Sequence, residues 1–250
     1  MRNVKLTLAY EGTDFSGWQV QPDAPTIQGA VTEVLRRVTR EEVQLDGAGR
    51  TDAGVHARCQ VAHFHTGSRL TPREFQHALN SLLPTTIRVM SAEEVAAEFH
   101  ARHSATAKTY SYRIYRGEVA PPFVARYVLH APWPLAEGAM SEAARLFEGQ
   151  HDFSMFSASP GGDEGEGAED TVRVIYSSLL KREGEELRYT VHGRSFLRYM
   201  VRRMVGTLLE VGRSRMTPAD IPPLFDLRDR SRGGPTAPAQ GLCLESVEYP

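Results

Sequence analysis

At 250 residues the chain can bury a sizeable core as one large or two ordinary domains without disulfide or metal staples. Its two cysteines, Cys59 and Cys243, exclude a disulfide framework and a zinc ribbon, and no apolar run approaches the length of a membrane span. The formal net charge is −2, but five acids, Asp163, Glu164, Glu166, Glu169 and Asp170, share one glycine-rich segment; without them 26 acids face 29 bases, about +3.

The first predicted element is VKLTLAY, where Val4, Leu6, Leu8 and Tyr10 alternate onto one strand face. No signal-peptide pattern accompanies it, so a soluble cytoplasmic protein is expected. Ile27, Ala30, Val31, Val34, Leu35 and Val38 mark a helix stripe, and residues 43–48 and 59–65 read as strands around a glycine-rich loop. A capping box, Thr71 to Glu74 with Pro72 at the first helical position, starts a helix whose stripe is Phe75, Ala78, Leu79 and Leu82. A strand near Thr86 to Met90 closes the first half.

The second half repeats this order more loosely. A strand over 108–116 puts Tyr110, Tyr112 and Ile114 on one face, and a helix from Pro134 to Phe147 follows. Next come a hairpin in 172–192 turning at Gly184, a helix over 196–211, a short capped helix from Thr217 and a closing strand over 242–249. The order predicts an α+β protein of two β-α-β-β-α-β-like domains, 1–104 and 105–250, with antiparallel-rich mixed sheets forming a shared central cleft. Pro160 to Asp170 reads as a mobile surface loop.

The stretch GAGRTDAGVHA, Gly47 to Ala57, places Asp52 in a glycine-punctuated turn with Arg50 two residues before it and His56 four after. Gly47, Gly49 and Gly54 allow positive φ or close backbone approach. The dinucleotide fingerprint fails because the third glycine arrives two residues late and a strand-like CQVAHFH follows. A Walker loop fails because Val55 and His56 follow Gly54 where Lys and Ser or Thr are needed. A DAG tripeptide by itself also suits a surface turn, with the acid bonded to its own backbone.

In GRSFLRYMVRRMVGTLLEVG, Arg194, Arg198 and Arg202 recur every four residues, which on a helix forms one stripe opposite a broad apolar face. No acid stands at helical spacing until Glu210, so phosphates, a carboxylate or plain solvent could face these cations. Lys occurs only at 5, 108 and 181; the Arg bias suits phosphate and base contact, or equally an Arg-rich solvated surface. Tyr110 and Tyr112 follow Lys108, and Phe15 and Trp18 sit in a polar loop, as stacking on an unpaired base requires; Tyr112 is assigned to the core. His63 and His65 share a strand face and His100 and His103 lie three apart, but no further ligand stands at catalytic-zinc spacing, so no metal is expected. No GxSxG nucleophile turn is present.

These segments resemble the TruA family of tRNA pseudouridine synthases. YEGTDFSGWQVQP with TIQGAV, GAGRTDAGVHARCQVAHF, FHARHSATAKTYSYRI, HDFSMF, FLRYMVRRMVGTLLEVG and the final QGLCLESVEYP fall in the family's order over nearly the whole chain. The resemblance implies a homodimer that isomerises uridine to pseudouridine at positions 38, 39 and 40 of the tRNA anticodon arm, without cofactor. It implies Asp52 as the catalytic carboxylate, Arg50 as the residue that displaces the target uridine, Tyr110 of the KTY motif as the ring stacked on it, and Arg202 of the MVR motif as the aspartate's cation. Arg194 and Arg198 are expected on RNA phosphates. Asp14 and Asp152 are rival carboxylates without an adjacent Arg, read as loop-structuring. A non-catalytic RNA-binding module with the same cleft is the alternative; a small-molecule nucleoside enzyme would have no use for the Arg stripe.

Overall fold

In a computed structural model the described residues are 1–157, 170–227 and 232–250. They divide into two compact units, one of Met1–Lys108 with Cys243–Pro250 and one of Thr109–Leu242.

The first unit runs β1 (Arg2–Tyr10), α1 (Ile27–Thr39), β2 (Asp46–Gly47), β3 (His56–Thr66), α2 (Pro72–Leu82) and β4 (Ile87–Val95), the order expected. β1 lies between β4 and β3, antiparallel to both, with Val4, Leu6, Leu8 and Tyr10 all buried. Alternation thus places one whole face of β1 in the core. Ile27, Val31, Val34 and Leu35 of α1 are buried, and the Thr26 side chain accepts from the Gly29 N–H at the helix start. The capping box of α2 forms as read, with Thr71 and Glu74 satisfying each other's backbone donors. The strand expected over 43–48 shrinks to Asp46–Gly47, because only these residues find ladder partners, His63 and Ala62. β3 in turn begins at His56, three residues earlier than its alternation suggested.

The second unit begins in β5 (Ala107–Tyr115) and continues through α3 (Pro122–Ala125), β6 (Leu129–His130), α4 (Glu137–Arg145), β7 (Gly149–Asp152), β8 (Val172–Glu183), β9 (Glu186–Gly193) and α5 (Met200–Gly212). Its strands are ordered β5-β9-β8-β7, with β6 parallel to β5 at its edge. The β8–β9 hairpin turns at Gly184, whose φ of 60° suits glycine. The capped helix expected from Thr217 is a single 3-10 turn, Pro218–Asp220, that keeps its capping box. The closing strand β10 (Leu242–Glu248) returns to the first unit, where Cys243 and Leu244 pair in parallel with His56 and Ala57 of β3.

α5 starts at Met200, not at 196. Tyr199 adopts φ 65°, in the left-handed region, and a non-glycine residue there ends helical continuity. The expected helical stripe of Arg194, Arg198 and Arg202 is therefore corrected: only Arg202 lies on the helix, Arg198 precedes it, and Arg194 follows the end of β9. No described helix is long and apolar enough to cross a membrane. The acidic segment 160–169 lies outside the described residues.

Candidate active site

The Asp52 loop is held from several sides within the first unit. Gly47 lies against the buried indole of Trp18; a Cβ there would sit 2.6 Å from the ring. Lys108 Nζ donates to the Ala48 carbonyl at 2.6 Å, and Gln60 Nε2 donates to the Gly49 carbonyl at 2.8 Å. The Thr51 and Tyr10 hydroxyls are 2.8 Å apart, and the Thr51 carbonyl accepts from the Trp18 N–H at 3.0 Å. Gly17, at φ 94°, makes this approach possible, since a Cβ there would fall 2.6 Å from the same carbonyl. Val55 N–H donates to the Asp52 carbonyl at 3.1 Å and closes a turn, and Gly54 N–H donates to the Phe15 carbonyl at 3.2 Å.

Burial alternates along this loop. Thr51 is buried, Asp52 is half-buried, and Arg50 and Ala53 are exposed. Thr51 thus points inward, with a half-buried carboxylate on one side of it and an exposed guanidinium on the other. His56 is buried at the base of the loop, its Nδ1 accepting from the Gly12 N–H at 3.1 Å and lying 3.7 Å from Glu11. Of the rival carboxylates, Asp152 is occupied structurally, its Oδ1 accepting from Ser154 N–H at 2.9 Å and from the Thr171 hydroxyl at 2.5 Å. Asp14 is exposed.

In the second unit Tyr110 is 8 % exposed on β5, its ring edge-on to Phe196 with centroids 5.0 Å apart. Tyr112 is fully buried, as assigned, and its hydroxyl donates to the Pro238 carbonyl at 2.8 Å. Arg202 sits in the first turn of α5, half-buried; its Nε donates to the Ala237 carbonyl at 2.8 Å, and the Ala237 N–H returns a bond to the Arg202 carbonyl at 3.1 Å. The ring of Tyr199 carries two guanidiniums, Arg198 at 5.0 Å and Arg202 at 5.2 Å. Tyr199 was missed in the sequence because its role depends on a left-handed backbone that only the folded chain reveals. Arg194 is exposed, with its backbone N–H on the Val174 carbonyl at 3.0 Å.

One trio among the described residues could in principle hold an ion: Asp46, His63 and His100, whose ligand atoms lie within 4.8 Å of one another. The two histidines stood out in the sequence, but Asp46 did not. Both rings use Nδ1 within the protein. His63 Nδ1 accepts from the Ala101 N–H at 3.3 Å, and His100 Nδ1 accepts from the N–H groups of Arg102 at 3.1 Å and His103 at 3.3 Å. Each neutral ring must then carry its proton on Nε2, whereas a metal-bound histidine offers one lone pair to the ion and donates from its other nitrogen.

A family profile described as tRNA pseudouridine synthase matches residues 7–104 and 143–250. The chain belongs to the tRNA pseudouridine synthase family. It is 47% identical over 250 residues to tRNA pseudouridine synthase A of Solibacter usitatus, covering all of both chains. To the protein of the same name from Moorella thermoacetica it is 46% identical over 248 residues, 98% of this chain and 99% of the relative, and to that from Brevibacillus brevis 44% over 249 residues, the full length of both. Arg50, Asp52 and Arg202 fall inside the matched segments of the pseudouridine synthase profile. Tyr110 falls between them.

Proposed function

We propose that this member of the pseudouridine synthase family isomerises uridine to pseudouridine at positions 38, 39 and 40 of the tRNA anticodon arm, with Asp52 as the catalytic carboxylate. The observation that carries the reading is the half-buried Asp52 on a turn whose backbone is fixed on both sides, within a chain of this family.

The chemistry follows from the product. The bond from C1′ to N1 breaks, the base turns, and C5 bonds to C1′; C5 then gives up its proton while N1 gains one. No electrons leave and no group enters, so no cofactor is needed. The nucleotide must first leave the helical stack, because a stacked base can neither expose C1′ nor rotate. Arg50, exposed beside the carboxylate, suits displacement of that nucleotide, and Tyr110 is given the role of stacking on the extruded base. An ionised carboxylate can attack the sugar or base, or remove a sugar proton; both routes use the same residue. Arg202 is given the role of the cation that serves this carboxylate, since a cation paired with a carboxylate favours its charged form. Arg194 and Arg198 serve as phosphate contacts. The protein works in the cytoplasm as a homodimer.

The test is site mapping on unmodified anticodon-arm transcripts that carry uridine at only one of the three positions. Pseudouridine at each of 38, 39 and 40 is expected after incubation, and modification elsewhere, or at none of them, rejects the assignment.

A further inference from the structure

Gln60 is an unusual residue for its place. It lies on β3 opposite Leu8 of β1, on the strand face it shares with Ala62 and Phe64, and is 0 % exposed. A side-chain amide has two donor hydrogens and a carbonyl oxygen to satisfy, and leaving any of them dry is costly. Nε2 donates to the Gly49 carbonyl at 2.8 Å and reaches the Tyr10 hydroxyl at 3.4 Å, while Oε1 is buried without a hydrogen-bond partner among the described residues. Turning the amide over would set Oε1 against the Gly49 carbonyl, two acceptors face to face, so the orientation is determined. An apolar side chain of similar size would remove the orphaned oxygen but would take the donor from the Gly49 carbonyl.

What the amide holds explains its place. The Tyr10 hydroxyl that Nε2 approaches is 2.8 Å from the Thr51 hydroxyl, and both residues are buried. Burial keeps the Tyr10 phenol protonated well above its ordinary range, so the link to Thr51 stays a neutral hydroxyl pair in which either oxygen can donate. The network therefore grips residue 49 through its carbonyl and residue 51 through its side chain, the two neighbours of Arg50 and the last residue before Asp52.

We infer that Gln60 and Tyr10 are positioning residues, a buried hydrogen-bonded brace that fixes the angle at which the loop presents Asp52. This rests on the reading of Asp52 as the catalytic carboxylate. A small error in such an angle lowers the rate of the chemical step and leaves RNA binding intact, because the groups that meet RNA are unchanged.

The test is single-turnover tritium release from tRNA labelled at uridine C5, measured for Gln60→Leu, Tyr10→Phe, Thr51→Val and the Tyr10→Phe/Thr51→Val double variant, with tRNA Kd and Tm beside each rate. Gln60→Leu and Tyr10→Phe are each expected to slow the saturated rate by roughly 10- to 100-fold, with Kd within about twofold and, since each leaves one hydrogen-bond partner unsatisfied, a Tm loss small enough that the protein stays folded in the assay. The double variant is expected to be no slower than its slower parent, since both substitutions break one link. A purely structural role predicts a Tm loss with an unchanged rate, and that unchanged rate overturns the inference. So does full activity in both Gln60→Leu and Tyr10→Phe. Asp52→Asn in the same assay separates the two levels: if it is inactive while the brace variants are fully active, the brace alone is wrong, and if it is active, the reading beneath it is wrong.

Discussion

Gly47 lies flat against the indole of Trp18, close enough that an added methyl would meet the ring at 2.6 Å. Trp18 is 2 % exposed and its own backbone N–H holds the Thr51 carbonyl, so the ring cannot retreat without moving the Asp52 loop. Gly47→Ala should therefore cost about 1–3 kcal/mol of stability and lower the rate of pseudouridine formation. Thermal melting and tritium release check both; a stable variant with parental activity contradicts the clamp.

Tyr199 occupies the left-handed region at φ 65°, which a side chain bears at roughly 1–2 kcal/mol. Glycine relieves that strain. Tyr199→Gly is expected to leave Tm unchanged or raise it, while weakening tRNA binding several-fold, because the ring that orders Arg198 and Arg202 is gone. Equal tRNA affinity in anisotropy titrations would show that the stacked arginines do not need it.

Arg198 precedes α5, is exposed, and is proposed as a phosphate contact. Arg198→Ala should weaken binding to all tRNA sequences alike and reduce the slope of log K against log salt by about 1. If both affinity and slope stay at parental values, the arginine serves solvent alone.

Acidification should destabilise the first unit through its histidines. His63 and His100 are held below the ordinary imidazole range, each chiefly by burial and next by a neighbouring histidine, with Asp46 opposing. Because the folded pKa is the lower one, the unfolded chain takes up protons first. The stability these rings allow is complete above the unfolded pKa of about 6.5 and is lost as the pH falls through that value toward the folded one. Denaturant melts from pH 8 to 5 should show a smaller pH-dependent loss for His100→Asn, whose side chain can still accept the Arg102 and His103 N–H bonds. An identical slope for variant and parent would remove these rings from the pH response.

The first unit was almost fully legible because its signals are local. Alternation in VKLTLAY, the Thr71–Glu74 box and the glycines of the Asp52 loop each describe their own neighbourhood. α5 was misread at its start because the apolar period of FLRYMVRRMVG runs unbroken through Tyr199, and sequence carries no mark of a left-handed tyrosine. Within CQVAHFH nothing local marks Gln60. Its partners come from strands and loops 11 and 50 residues away in sequence, so only the folded register shows why an amide is there. Asp46 escaped notice for the same reason, since it meets His63 through the β2–β3 pairing.

The central claim is that one carboxylate performs the isomerisation. Tritium release from tRNA labelled at uridine C5, comparing the parent chain with Asp52→Asn at equal tRNA occupancy, tests it most directly. The account predicts release by the parent and none above background by Asp52→Asn, with tRNA affinity retained. Undiminished release by Asp52→Asn, or none by the parent, contradicts it.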